Sequence, residues 1–242
     1  MTTITTDPHH AETSVPLGIG GETNPPSSMP ALLRLMAWLS PAFPTGGFAY
    51  SHGLEWAVEA GDIKDGDSLR VWLTDVVTNG SGRSDTILLR HAHRAAADPV
   101  ALCEIVSLAS AIAPARERRD EALNQGRAFQ LAVAPWTNTH LPEDAPYSVT
   151  VGAAAGTQEI PEDDTAVAFL QAFTTSLISA AVRLVPLGQT AGLKVLAALE
   201  TTILATASET KTATLDDVGG CAFRSDLAAM RHETQYTRLF RS

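Results

Sequence analysis

Apolar positions along this chain recur three and four residues apart, and only rarely two apart. Leu32, Leu35, Met36 and Leu39 make the first run and predict a helix over 31–39. Leu54, Trp56, Ala57 and Val58 predict a second, stopped at Gly61 as a C-cap. Asp67 or Ser68 caps a third over 69–78, ended by Asn79-Gly80. Ile87-Leu88-Leu89 carries a fourth, from Asp85 to Ala97, and an apolar helix with Cys103 fills 99–111. A charged helix starts near Ala115, with Leu123, Phe129 and Leu131 as its expected buried side. The stretch 149–156 reads as strand or helix, and its alanines favour helix. Pro161 followed by three carboxylates opens a long helix. Proline suits a first turn, and negative charge suits the positive end of the helix dipole. Val167, Leu170, Phe173, Leu177, Ala181 and Leu184 line its apolar side, and Arg183 suits its C-terminal end. A last core helix over 190–208 turns Leu193, Leu196, Ala197, Ile203 and Leu204 inward, and a terminal one buries Leu227 and Met230. The expected fold is all-α, a single helical domain of about eight to ten helices over 30–242. Residues 1–29, rich in Thr, Pro, Gly and Ser, form a flexible, disordered tail before it.

One stretch breaks the pattern. Pro41 and Pro44 fix the backbone around Gly46-Gly47, and Phe43, Phe48 and Tyr50 supply three of the ten Phe and Tyr residues of the chain. A solvated loop has no use for so many aromatics. The expectation is a packed loop between helices that holds Tyr50, Ser51, His52 and Glu55 in place. Three chemistries compete there. Ser51 and His52 lie close to a nucleophile-elbow pattern, but the strand that motif requires is missing. His52 has no second metal ligand at a chelating spacing, and His91 and His93, two apart on a helix, point away from each other as solvated side chains. The remaining reading has the hydroxyls and imidazole satisfying backbone groups and capping the next helix.

Charge narrows the function classes. The net charge of -10 opposes general nucleic-acid binding. Residues 128–182 hold six carboxylates and no Lys or Arg, whereas 222–242 hold four arginines against Asp226 and Glu233. Cys103 and Cys221 have no metal or redox spacing, which suits an intracellular protein. No secretory signal is expected from residues 1–30, and the uncharged run 165–182 reads as a buried core helix, so a soluble, cytoplasmic protein with no membrane partner is expected. Arg116, Arg119 and Arg127 suit a solvated face with local ion pairs. From Arg231 to Arg238 only Tyr236 has much apolar surface, so this run is expected not to bury itself. Tyr236, Leu239 and Phe240 would be wasted on a frayed end, and a segment about 222–242 that orders against another protein fits both facts. His232-Glu233 fails the zinc-protease pattern, since Tyr236 stands where a second His is needed.

Three segments together resemble the urease accessory protein family UreF: Pro44-Thr-Gly-Gly-Phe-Ala-Tyr-Ser-His-Gly-Leu-Glu55, Ala181-Val-Arg-Leu-Val-Pro-Leu-Gly-Gln189, and Met230-Arg-His-Glu-Thr-Gln-Tyr-Thr-Arg-Leu-Phe-Arg-Ser242. The helix over 116–130 is similar to the family's charged helix more loosely. The resemblance spans 31–242 and implies an all-α homodimer that is no enzyme, carries no cofactor and has neither catalytic nor metal residues. It implies that the chain binds UreD (also UreH) and the GTPase UreG, docks on apo-urease and helps deliver nickel. On that resemblance Arg231, His232, Glu233, Tyr236 and Arg238 meet UreD, and Tyr50, Ser51, His52 and Glu55 lie near the UreG-facing surface. The alternatives are a serine hydrolase using Ser51 and His52, with Glu55 orienting, and a stand-alone nickel-binding protein using His52, His91, His93 or His232.

Overall fold

The computed structural model describes residues 1–3, 29–137, 141–142 and 144–242. The reading of residues 1–29 as a flexible tail falls almost wholly outside them. Among the described residues there are ten α-helices and no strand. They are α1 (Met29–Trp38), α2 (Leu54–Glu59), α3 (Gly66–Asn79), α4 (Ser81–Arg94), α5 (Pro99–Ala111), α6 (Arg116–Val133), α7 (Tyr147–Thr157), α8 (Glu162–Leu184), α9 (Gly188–Glu209) and α10 (Phe223–His232). Single turns of 3₁₀ helix lie at Gly47–Ala49, Thr210–Thr212 and Leu215–Asp217. The all-α expectation holds, and the ambiguous 149–156 stretch is the inside of α7.

Helix α7 is the axis of the molecule. Residues 148–155 are all buried, and the helix packs along α4 with almost no side-chain spacer. Gly152 faces the Leu89 carbonyl and Gly156 the His93 carbonyl, so closely that an added Cβ would sit 2.1 and 2.2 Å from those oxygens. The glycines are four apart, as are their partners, so one face of α7 rides directly on the α4 backbone. Three apolar clusters surround this pair. One joins α2, α3, α8 and α9, with Leu69, Leu73, Leu170 and Leu199 at its centre. A second gathers Trp38, Phe129, Val151 and Phe169, and a third lies under α5.

Boundary corrections have local causes. The N-cap of α3 is Asp65, neither Asp67 nor Ser68. Its carboxylate accepts from the Ser68 amide at 2.9 Å, and the Ser68 hydroxyl receives the Asp65 amide, a reciprocal box. Helix α4 starts at Ser81, four residues early, because Gly80 alone makes the corner with α3. In α9 the buried face is Val195, Leu199, Ile203 and Ala207, while Leu193 and Leu204 face outward. Leu131 of α6 is likewise exposed. In α10, Leu227 and Met230 turn outward, and Ala228 and Ala229 turn in. The backbones approach closely there: a Cβ on Gly53 would meet the Ala229 amide at 2.8 Å. Helices α8 and α9, the latter with its following turn, are long and apolar enough to cross a membrane by length and composition alone. In the bundle α8 serves as a core helix, with Phe169, Leu170, Leu177 and Ile178 buried.

A polar staple closes one end. Arg90, fully buried, donates from Nη1 to Glu162 at 2.6 Å and Asp163 at 2.8 Å, and from Nη2 to the Ala207 carbonyl at 2.7 Å. It thereby ties α4 to the start of α8 and the end of α9. His91 and His93 are half-buried rather than solvated. Each ring meets a backbone carbonyl, Ala213 at 3.0 Å and Ile160 at 2.7 Å.

Candidate functional site

The chain end folds back over the packed loop. Tyr50, Ser51, His52 and Glu55 are all buried beneath it. The Ser51 amide donates to the Ser242 carbonyl at 2.9 Å, and the Ser51 hydroxyl donates to the same oxygen. The Arg241 amide reaches the Ala49 carbonyl at 2.9 Å. Glu55 receives two consecutive tail amides, Leu239 at 2.6 Å and Phe240 at 2.9 Å, and its Oε2 lies 3.2 Å from His232 Nε2. The other His232 nitrogen lies 2.6 Å from Glu117, which also receives Arg238 at 2.5 Å. Gln235 donates to Glu59 at 2.6 Å, and Glu233 accepts from the Arg116 amide at 2.7 Å.

This geometry corrects one expectation. The run 231–238 does bury part of itself, and His232 is wholly inaccessible. A polar segment can be buried when its donors meet acceptors, and here carboxylates on α2 and α6 supply them. The tail therefore has two sides. His232, Gln235, Phe240 and Ser242 face in; Arg231, Tyr236, Arg238, Leu239 and Arg241 face out, with Tyr236 as open as in an extended chain at 103% exposure.

Arg183 joins the three distinctive segments. From the end of α8 its Nη2 donates to the Phe48 carbonyl at 2.7 Å, and its guanidinium lies 4.2 Å above the Phe240 ring. The loop, the 181–189 corner and the chain end, far apart in sequence, meet at this one side chain.

Beneath them lies a charged layer absent from the sequence expectations. Arg118 and Glu121 of α6 pair while buried, and Glu121 also accepts from the Ser242 hydroxyl at 2.6 Å. Burial by itself would raise the Glu121 carboxyl, but Arg118, His52 and Ser242 outweigh it and hold it at about 2. His52 sits in the left-handed region, φ 62°, just before Gly53 at φ 79°, so the turn into α2 is built on a strained non-glycine residue. Its Nε2 meets the Ser81 hydroxyl at 2.5 Å and its ring edge packs on Phe173. Nδ1 lies 3.5 Å from Glu121, too far for a good hydrogen bond. Burial and then Arg118 push the imidazole down to about 4, against the pull of Glu121. Asp85 on α4, held by the Ser148 hydroxyl at 3.1 Å, is raised by burial to about 6, with Arg118 and Ser148 opposing.

These groups give the protein a worked pH dependence. His52 favours the folded state above about 6.5, its ordinary value, and that contribution is lost as pH falls toward about 4. Glu121 contributes above its ordinary value of 4.5 and loses this as pH falls toward about 2. Asp85 does the reverse: its contribution is complete below 3.8 and is lost as pH rises through about 6. Melting temperatures from pH 4 to 7 should fall on the acid side in wild type, and His52→Asn, which tolerates the left-handed backbone, should flatten that limb. An unchanged acid limb in the variant would show that His52 is not the group responsible.

The two enzyme-like and metal-like alternatives find no assembled site here. Ser51 Oγ is spent on Ser242 and on the Glu55 amide at 3.3 Å, while the His52 ring turns to Ser81. Nucleophile and base are not hydrogen-bonded to each other, as an activated serine requires. His52, His91, His93 and His232 each engage separate partners. Among the described residues no three His, Cys, Asp or Glu side chains gather to hold a metal ion. Arg116, Arg119 and Arg127 are exposed as expected, Arg127 paired with Asp144.

Comparison with known proteins agrees with the three-segment pattern. A family model described as UreF matches residues 63–200. The urease accessory protein UreF of Xanthobacter autotrophicus is 53% identical over 235 residues, covering 93% of this chain and 96% of its own. That of Mesorhizobium japonicum is 52% identical over 223 residues, covering 91% of this chain and all of its own. A Bradyrhizobium UreF is 52% identical over 222 residues, covering 88% of this chain and 92% of its own. With more than half the chain inside the family model and relatives matched almost end to end, the chain belongs to the UreF family.

Proposed function

We propose that this chain is a urease maturation factor: a non-catalytic helical adaptor, cytoplasmic and dimeric. It binds UreD (UreH) and the GTPase UreG and helps deliver nickel to apo-urease. The observation that carries the reading is the two-sided chain end. A segment whose inner side chains are fastened to α2 and α6 while Tyr236, Leu239 and Arg231 stand in solvent, with Arg238 at the rim on Glu117, is a displayed surface. UreD meets that outer side. His232 and Glu233, part of the same proposed contact, act from below, holding the strap through Glu55, Glu117 and the Arg116 amide.

Near the loop, Tyr50, Ser51, His52 and Glu55 are too deeply buried to touch UreG in this conformation. They support a surface whose outward member is Phe48, 77% exposed. The test is capture by co-expressed UreD. Tyr236→Ala combined with Leu239→Asp removes no side-chain hydrogen bond or ion pair, and both side chains are mostly exposed, so the melting temperature should stay within about 2 °C while capture drops at least tenfold, as for loss of an aromatic anchor. Undiminished capture by the double variant would dismiss the outer face as the UreD contact.

A further inference from the structure

Beside the loop, between α1 and α8, the fold leaves a cleft of about 980 Å³. Its walls are apolar and aromatic, with Leu35, Met36, Phe169 and Phe173 among them, and its volume lies at the upper end for pockets that enclose small organic molecules. Asp85, Arg118 and Glu121 lie on its polar side. The guanidinium is already committed to Glu121, which also holds Ser242 and receives Gln125 at 3.3 Å. Asp85 is different. It accepts from Ser148, and among the described residues no Lys, Arg or His stands within ion-pair distance of it. With His52 neutral, one positive and two negative groups leave this polar side one cation short. A part-buried carboxylate without an ion-pair partner is costly, and a ligand supplying that charge recovers the cost.

From this we infer that the cleft is a binding site for a small organic cation, a primary ammonium carried on an apolar tail, with the ammonium on Asp85 and the tail along Phe169 and Phe173. An anionic head group would meet the opposite balance, since the positive charge nearby is already spent. Aromatic walls suit the ammonium end as well as the tail. The other ionisable groups lining the cleft are Tyr50 of the loop, Tyr147 of α7 and Asp164 and Arg183 of α8, with His52 behind Glu121. Arg183 is tied to the Phe48 carbonyl and Phe240, so it does not serve as the missing partner.

The test uses the full chain and three probes of one length: n-octylammonium, n-octanol and octanoate, titrated by calorimetry. Octylammonium should bind about tenfold tighter than octanol, and octanoate weakest. Asp85→Asn, which keeps an oxygen for Ser148, should bring ammonium and alcohol within about threefold. Since an alkylammonium stays charged to about pH 10, its affinity should rise from pH 5 to 7 in wild type, as Asp85 ionises, and not in Asp85→Asn. Ala172→Trp, which fills the cleft and leaves Asp85 intact, should abolish binding of all three. Equal affinity for the three heads, octanoate binding tightest, or an ammonium preference that survives in Asp85→Asn would each overturn the assignment. None of these outcomes touches capture by UreD, so the adaptor reading is tested separately.

Discussion

Glu55→Ala is expected to unfasten the chain end while leaving the bundle folded. The carboxylate receives the Leu239 and Phe240 amides and faces His232, so alanine removes three contacts at once and leaves two amides, that of Phe240 buried, without acceptors. Hydrogen bonds to a charged group are each worth about 1.5–3 kcal/mol, and their loss here is shared with tail contacts that survive at Ser51, Glu117 and Arg183. A net loss of about 3 kcal/mol corresponds to roughly a 100-fold rise in local opening. Amide exchange over 236–242 should accelerate by that factor, with α4 and α7 amides unchanged, because opening is confined to one cooperative segment. Glu55→Gln keeps an acceptor but not the charge, and should fall between. Tail exchange at the wild-type rate in Glu55→Ala would mean that the strap is held elsewhere.

The second large effect belongs to the axis. Gly152→Ala puts a methyl group 2.1 Å from the Leu89 carbonyl, with the Leu89 Cα only 3.0 Å away. Neither neighbour is a side-chain end that can rotate aside, so α4 and α7 must separate. Overpacking of this kind costs about 1–3 kcal/mol where side chains can adjust, and a backbone contact sits at the top of that range. A loss of about 3 kcal/mol lowers the melting temperature by roughly 6–12 °C in a chain of this length. Gly61→Ala is the contrast: open space surrounds it, and only its positive φ of 80° resists substitution. If Gly152→Ala melted with wild type, the helices would not be as closely packed as described.

How much of this was legible beforehand can be judged from single elements. The spacing of Leu170, Leu177 and Ala181 marked the buried side of α8, and the capping chemistry of Pro161 and its carboxylates marked where that helix begins. The same method placed Ile203 of α9 correctly but misplaced Leu193 and Leu204, and it reversed α10, where Leu227 and Met230 face outward. Alanine-rich helices carry apolar residues on every side, so periodicity cannot choose among faces, and the choice falls to what fits against the neighbour. The charged layer of α6 was missed for a related reason. Glu121, Gln125 and Phe129 recur four apart and form one stripe, along which Phe129 and Glu121 are buried and Gln125 is half-buried. A polar stripe in line with a buried aromatic was the available signal.

By itself the sequence determined the helical class, most of the elements and the unusual loop, because each of these depends on local backbone preference or on residues close together in the chain. Only the tertiary structure decided that Ser51, His52 and Glu55 lie under residues 239–242, that Arg183 joins loop, corner and tail, and that Asp85 is left without a counter-charge beside a cleft. Those facts turn on groups more than a hundred positions apart, such as Glu55 and Phe240, or on a partner that is missing. Pairing across such separations is set by how the helices stack, and no local pattern records it.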